Sequence, residues 1–175
     1  MPTPHQNCTS FIEAEGESLL MEWYGLMLGA AGGLFGTLIM SAIEVVAWRK
    51  WGLLGVFEWH ENQMLIVKFL NLEHSACLHY LGIFGLHLIN GVLGGIGFYF
   101  VIASIDNWAI LLPPLPLLGI IYSFFLWVVT LIPIHKPITG FHPWDHPLGH
   151  GPALVSLAGH FAYGLVLSLL FLVFT

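Results

Sequence analysis

Four long apolar runs set the pattern of the chain. They extend from Trp23 to Trp48, from about Ala76 to Ile105, from near Pro116 to Ile134, and from Pro152 to Phe174. A helix needs about 20 apolar residues to cross the hydrocarbon layer, so each run is read as a transmembrane span. The third start is set by Pro113, Pro114 and Pro116, which would break backbone bonds in a helix interior but suit a first turn. The predicted fold is all-α and integral to the membrane: one domain, a bundle of four transmembrane helices with both termini on the same, outer side. Between the spans lie an acidic outer N-terminal segment (1–22), an inner connecting segment (49–75), a short outer link (106–115) and an inner loop rich in histidine and proline (135–151). The last helix takes in 152–175.

The connecting segment is the least regular part. On a helical wheel, Phe57 to Leu72 spreads Met64, Leu65, Ile66, Val67, Phe69 and Leu70 almost all round, with no polar face of useful width. Such a helix wants cover, and is read as interfacial or partly buried. It would fold against the ends of the bundle, sit at the interface, or meet another subunit.

Within the spans the pattern is set by glycine. Gly25, Gly29 and Gly33 recur at four-residue spacing in the first, and Gly91 and Gly95 in the second. Helix association in lipid gains little from the hydrophobic effect, and small residues at this spacing let two backbones approach. Spans one and two are therefore predicted to pack on each other.

Composition agrees with the pattern. Hydrophobic residues make up 57% and charged ones 8%, against roughly 45–50% and 25% in soluble proteins, and mean hydropathy is +0.84. The formal charge of −6 argues against nucleic acid or an anionic lipid surface as main partner, since both call for clustered Lys and Arg. The four basic residues, Arg49, Lys50, Lys68 and Lys136, all fall in the two connections taken as inner. By the positive-inside rule that side is cytoplasmic, in a plasma or inner membrane. Trp23, Tyr24 and Trp108 then mark one interface, and Trp48, Trp51, Trp59 and Trp144 the other. The N-terminus has no basic region before its first apolar run, so no cleavable signal is read. Cys8 and Cys77 fall on opposite sides, too far apart for a disulfide.

Candidate chemistry gathers at the inner end, where nine of the ten histidines lie. His87 and His160 are roughly 16 and 12 Å along their helices, and Glu44 roughly 7 Å deep. Ionisable groups inside a membrane are costly and call for partners. The expected pairs are Glu44 with His79, and His87 with His160. The structural alternative is a Glu44 that accepts from a tryptophan N–H and histidines that bond to backbone carbonyls. In the loop, His142, His146 and His150 recur every four residues, but Pro143 and Pro147 push two of them out of helical geometry, so three imidazoles do not share a helix face. A stiff loop remains, whose His142, Asp145, His146 and His150 would bind a metal ion (Cu, Zn or Fe), with His79 and Glu44, on folding back over the bundle mouth.

Three functions compete. The first is a small accessory or structural subunit of a larger membrane enzyme complex, of respiratory or oxidase/monooxygenase type, with other integral membrane subunits and lipids as partners. It rests on the uncovered connecting segment and on the lack of any nucleotide, phosphate or nucleophile motif, which also speaks against an enzyme acting alone. The second is a membrane redox protein in which His87 and His160 ligate a metal or haem b. The third is a small proton-coupled transporter using Glu44. It ranks last because the spans offer little polar track beyond Asn90, Tyr122, Ser123 and Tyr163.

Overall fold

A computed structural model describes the backbone of residues 4–70, 76–105 and 114–174; the side chains of 4–15, 17, 18, 70, 78 and 79 lie outside the description. Helix α1 runs from Pro4 to Trp51. It stops at Gly52, whose φ of +68° is a left-handed conformation that costs glycine little. A 3₁₀ turn, Leu53–Gly55, leads into α2, Phe57–Leu70. Helix α3, residues 76–103, is built from Ala76–Tyr80, a π-helical stretch Leu81–Leu86, and His87–Ala103. Helix α4 is Leu115–Thr139, and α5 is Gly151–Phe174. The described residues contain no strand, and four of these helices are long and apolar enough to cross a membrane.

Two boundaries differ from expectation. Helix α1 begins at Pro4 rather than Trp23, because residues 5–22 hold good helix formers (Glu, Leu, Met, Ala) and no further proline to stop them. Helix α4 continues past Ile134 to Thr139, with Pro133 and Pro137 inside it. What extends it is burial: His135 is fully buried, its ring 4.4 Å from that of Phe57. Lys68 Nζ, donating to Pro137 O at 3.2 Å, ties the last turn to α2. Gly140, φ +94°, then caps the helix, its N–H donating to Lys136 O at 2.9 Å.

Helix α1 packs along both α3 and α5, and α4 lies along α5, whereas α3 and α4 meet only briefly. The glycine prediction holds at atomic level. A Cβ on Gly29 would stand 2.7 Å from Gly95 O, and one on Gly33 would strike the Gly91 carbonyl. A second seam, where Gly119 and Gly164 face each other beside Ser123 and Ser168, joins α4 to α5 and was not foreseen. Away from α2, Phe98, Ile102, Leu115, Leu167 and Phe171 fill the core. Large side chains such as Leu20, Met21, Met27, Leu93 and Phe125 stay exposed, as lipid contact requires.

Helix α2 takes the first of its three alternatives and folds against the end of the bundle. Val56, Phe57, Trp59, Glu61, Asn62 and Gln63 are all buried. Gly82 of the π-helical stretch lies against the α2 backbone, a Cβ there coming 2.7 Å from Gln63 Cα. The absence of a polar face is corrected here. Glu58, Glu61 and Asn62 stand at i, i+3 and i+4 and share one face, and that face points into the bundle.

Candidate functional site

A cavity of about 700 Å³ opens in the α2 half of the bundle. Its floor is the polar face of α2 (Glu58, Glu61, Asn62), and its walls carry Thr37, His87, Asn90, Tyr122, His160 and Tyr163. Along α4 the lining extends from Tyr122 to Ile138, roughly 24 Å at 1.5 Å per residue. Apolar Leu65, Leu93, Leu126, Ile134 and Ile138 complete it. Two tyrosines brace the far end, Tyr163 donating to Gly91 O and Tyr122 to Gly94 O, each at 2.7 Å.

Three carboxyl–imidazole pairs border this space. Glu44 Oε2 lies 3.3 Å from His87 Nε2 and joins α1 to α3. Glu58 Oε1 lies 3.6 Å from His160 Nδ1 and joins α2 to α5. Glu61 Oε1 and His135 Nδ1 are 2.5 Å apart, close enough for a single proton to bridge α2 and α4. Around them the network continues: Trp127 Nε1 donates to Ser156 Oγ at 3.0 Å, Ser156 donates to Glu58 Oε1, and His160 Nδ1 donates to Ser156 O at 3.0 Å. Asn90 Nδ2 donates to Asn62 Oδ1 at 3.3 Å. The Glu44 carboxyl is fully buried and has Glu58 and the indole of Trp59 as further neighbours.

The α2 acids are held toward their neutral forms. Burial, reinforced by the adjacent Glu44, pushes Glu58 up to about 7. Burial, with Glu58 close by, pushes Glu61 up to about 9. Removal from water disfavours the charged carboxylate, and a second negative charge nearby adds to the effect. Burial acts in the opposite direction on His60, which is pulled below its ordinary value, with His146 as a second cause. His146 is likewise lowered by burial.

The pairings differ from those expected. Glu44 meets His87, and His160 meets Glu58, so each deep histidine has a carboxyl partner. His79, expected beside Glu44, has its side chain outside the described residues. The histidine loop does not converge on one point. His142 stacks on Trp144, ring centroids 4.8 Å apart, and accepts from Lys136 Nζ at 3.1 Å. Asp145 and His150 are exposed. His146 turns inward against Phe57 and Phe141, its Nδ1 accepting the Leu148 N–H at 3.1 Å. Among the described residues, no three His, Cys, Asp or Glu side chains are grouped to hold a metal ion. Glu58, Glu61, Asn62 and His135 are the site residues that sequence reasoning missed. The run Glu58-Trp59-His60-Glu61-Asn62-Gln63 carried their signal, a polar patch inside an otherwise apolar helix. Comparison of the chain with known protein families, with curated proteins and with solved structures finds no match, which leaves the cavity's own chemistry to carry the functional reading.

Proposed function

We propose that the protein is a small proton-coupled membrane carrier, whose cavity binds a ligand in exchange for protons held on the carboxyl–imidazole pairs. One observation supports this above the rest: three such pairs, contributed by α1, α2, α3, α4 and α5, border one cavity within a membrane-spanning bundle. A charge in such surroundings is costly unless matched. Glu61 and His135 are close enough to share a proton, while Glu44–His87 and Glu58–His160 each set an acid beside a base without a direct hydrogen bond, and a ligand that alters the local charge shifts the protons they hold. The polar track that the spans alone lack is completed by α2, which brings Glu58, Glu61 and Asn62 to the level of Asn90 and Tyr163.

The other readings find less support. The accessory-subunit reading leaned on a connecting segment in need of cover, and α2 finds that cover within its own chain. Lipids, and other membrane subunits, fit the outward apolar faces equally well. The haem b reading needs a ring nitrogen of His87 and one of His160 turned to a single iron, whereas His87 turns Nε2 toward Glu44. Arg49, Lys50, Lys68 and Lys136 all cluster at the α2 end, and by the positive-inside rule the acid-lined floor faces the cytoplasm.

Proteoliposomes with an imposed pH gradient test the carrier reading. On exposure to a panel of small amines, carboxylates and neutral polyols, the wild-type protein is expected to dissipate the gradient with one class, and Glu44→Gln and Glu58→Gln to lose that response. A gradient unmoved by every class, reported by an entrapped pH dye, overturns the reading.

A further inference from the structure

We infer that the ligand is a protonatable amine with an apolar tail, taken from the lipid phase through the gap between α3 and α4. The inference rests on the carrier reading for its consequence, transport, but on separate observations for the ligand's class.

Charge comes first. The cavity is lined by Glu58 and Glu61, with Glu44 directly behind, and none of the four Lys and Arg residues lines it. On the cavity wall, Oε2 of Glu58 is buried without a hydrogen-bond partner, and so is Nε2 of His87, a residue 5% exposed. The cavity therefore presents two acids and a ring nitrogen without a hydrogen bond, and no basic side chain to neutralise them. An ammonium group brings up to three N–H donors and a positive charge and no acceptor. A carboxylate or phosphate head would add negative charge to this set without supplying donors.

Shape comes second. Beside the acids, His87 and His160, the same cavity is walled by apolar Leu65, Leu93, Leu126, Ile134 and Ile138. A polar head with an aliphatic tail matches this lining, the tail exchanging acyl-chain contacts for apolar side chains while the head meets the acids.

Access comes third. Tyr122, bonded to Gly94 O at 2.7 Å and 5.1 Å from the Phe98 ring, holds α3 to α4 away from α2. Toward α2 the two helices separate, and Asn90, Leu93, Thr130 and Ile134 border the cavity while remaining exposed. In a bilayer those side chains meet acyl chains, so the opening faces lipid. An incoming ammonium meets Glu58 and Glu61 from α2, His87 from α3, Tyr122 from α4, and His160 and Tyr163 from α5, with Glu44 and His135 behind them as the partners of His87 and Glu61. His60 lies on the side of α2 toward His146 and His135. The cation takes the place of a proton held on the carboxyl–imidazole pairs, so one positive charge enters as another leaves.

The probes are dodecylamine, dodecanol, dodecanoate and ethylamine, measured on the full-length protein in lipid nanodiscs by displacement of a tail-labelled long-chain amine. Dodecylamine is expected to bind at least tenfold more tightly than the other three. Glu58→Gln should abolish that preference, and Glu58→Asp, which keeps the carboxyl, should retain it. Leu93→Trp with Ile134→Trp should slow association from the bilayer. Equal or tighter binding of dodecanol or dodecanoate overturns the ligand class and leaves the carrier reading intact if that probe discharges a pH gradient. Preference for dodecylamine without any proton movement in proteoliposomes overturns the carrier reading and leaves the ligand class standing. Glu58→Asp losing the preference while keeping its wild-type melting profile overturns the role assigned to the carboxyl, and association unaltered in the double tryptophan variant overturns the lipid route.

Discussion

At the scale of single residues, the behaviour of this protein turns on acids buried beside imidazoles. Glu58 and Glu61, pushed up to about 7 and about 9 by burial, keep protons in the folded chain at pH values where the unfolded chain, near 4.5, has lost them. Their contribution to stability is complete below pH 4.5 and disappears as pH rises through 7 and 9. His60 and His146 act with the opposite sign. Lowered from 6.5 by burial, they contribute above that pH, and the contribution is lost as pH falls. The melting temperature of the detergent-solubilised protein is accordingly expected to decline between pH 6.5 and 9. Glu61→Gln, which has no proton to lose and still reaches His135, should flatten that decline; an equally steep fall in the variant would refute the assignment. His135→Leu removes the partner of a buried acid and should cost about 1–3 kcal/mol, read from the same melts. The depth of Glu44, His87 and His160 was legible in the sequence because depth follows from counting along a span. Their surroundings were not, because Glu58 reaches His160, and Glu61 reaches His135, only through the fold-back of α2, which no local pattern encodes.

At the scale of elements, the apolar runs and the glycine spacing were sufficient to place four helices and the α1–α3 contact, since both are local periodicities read directly as helix faces. Gly33→Leu has no space to fill: its Cβ would lie 3.1 Å from Gly95 Cα as well as against the Gly91 carbonyl. Overpacking of this kind costs roughly 1–3 kcal/mol, and the variant is expected to melt lower and to yield less monodisperse protein on size exclusion. Helix α4 outruns the apolar stretch that ends at Ile134, although Pro133 and Pro137 lie inside it. Burial of His135 and the Lys68 tie to Pro137 offset the missing N–H bonds. Gly140 terminates the helix at φ +94° with open space around it, so Gly140→Ala tests conformation alone and should destabilise by roughly 1–2 kcal/mol.

At the scale of the whole molecule, the spans enclose a cavity only because α2 closes it from one end, and because α3 and α4 are pinned at the other and part near α2. Composition announced a membrane protein but said nothing of an internal space, which arises from how helices diverge. The acids on α2 ride a short helix set off from α1 by Gly52, φ +68°, and a single 3₁₀ turn, outside all four spans. Ionising Glu58 next to Glu44 would set two like charges against each other across the α1–α2 corner. The plug of the chamber is thus seated partly by a proton, and losing it would loosen the hold of this short helix before that of any spanning one.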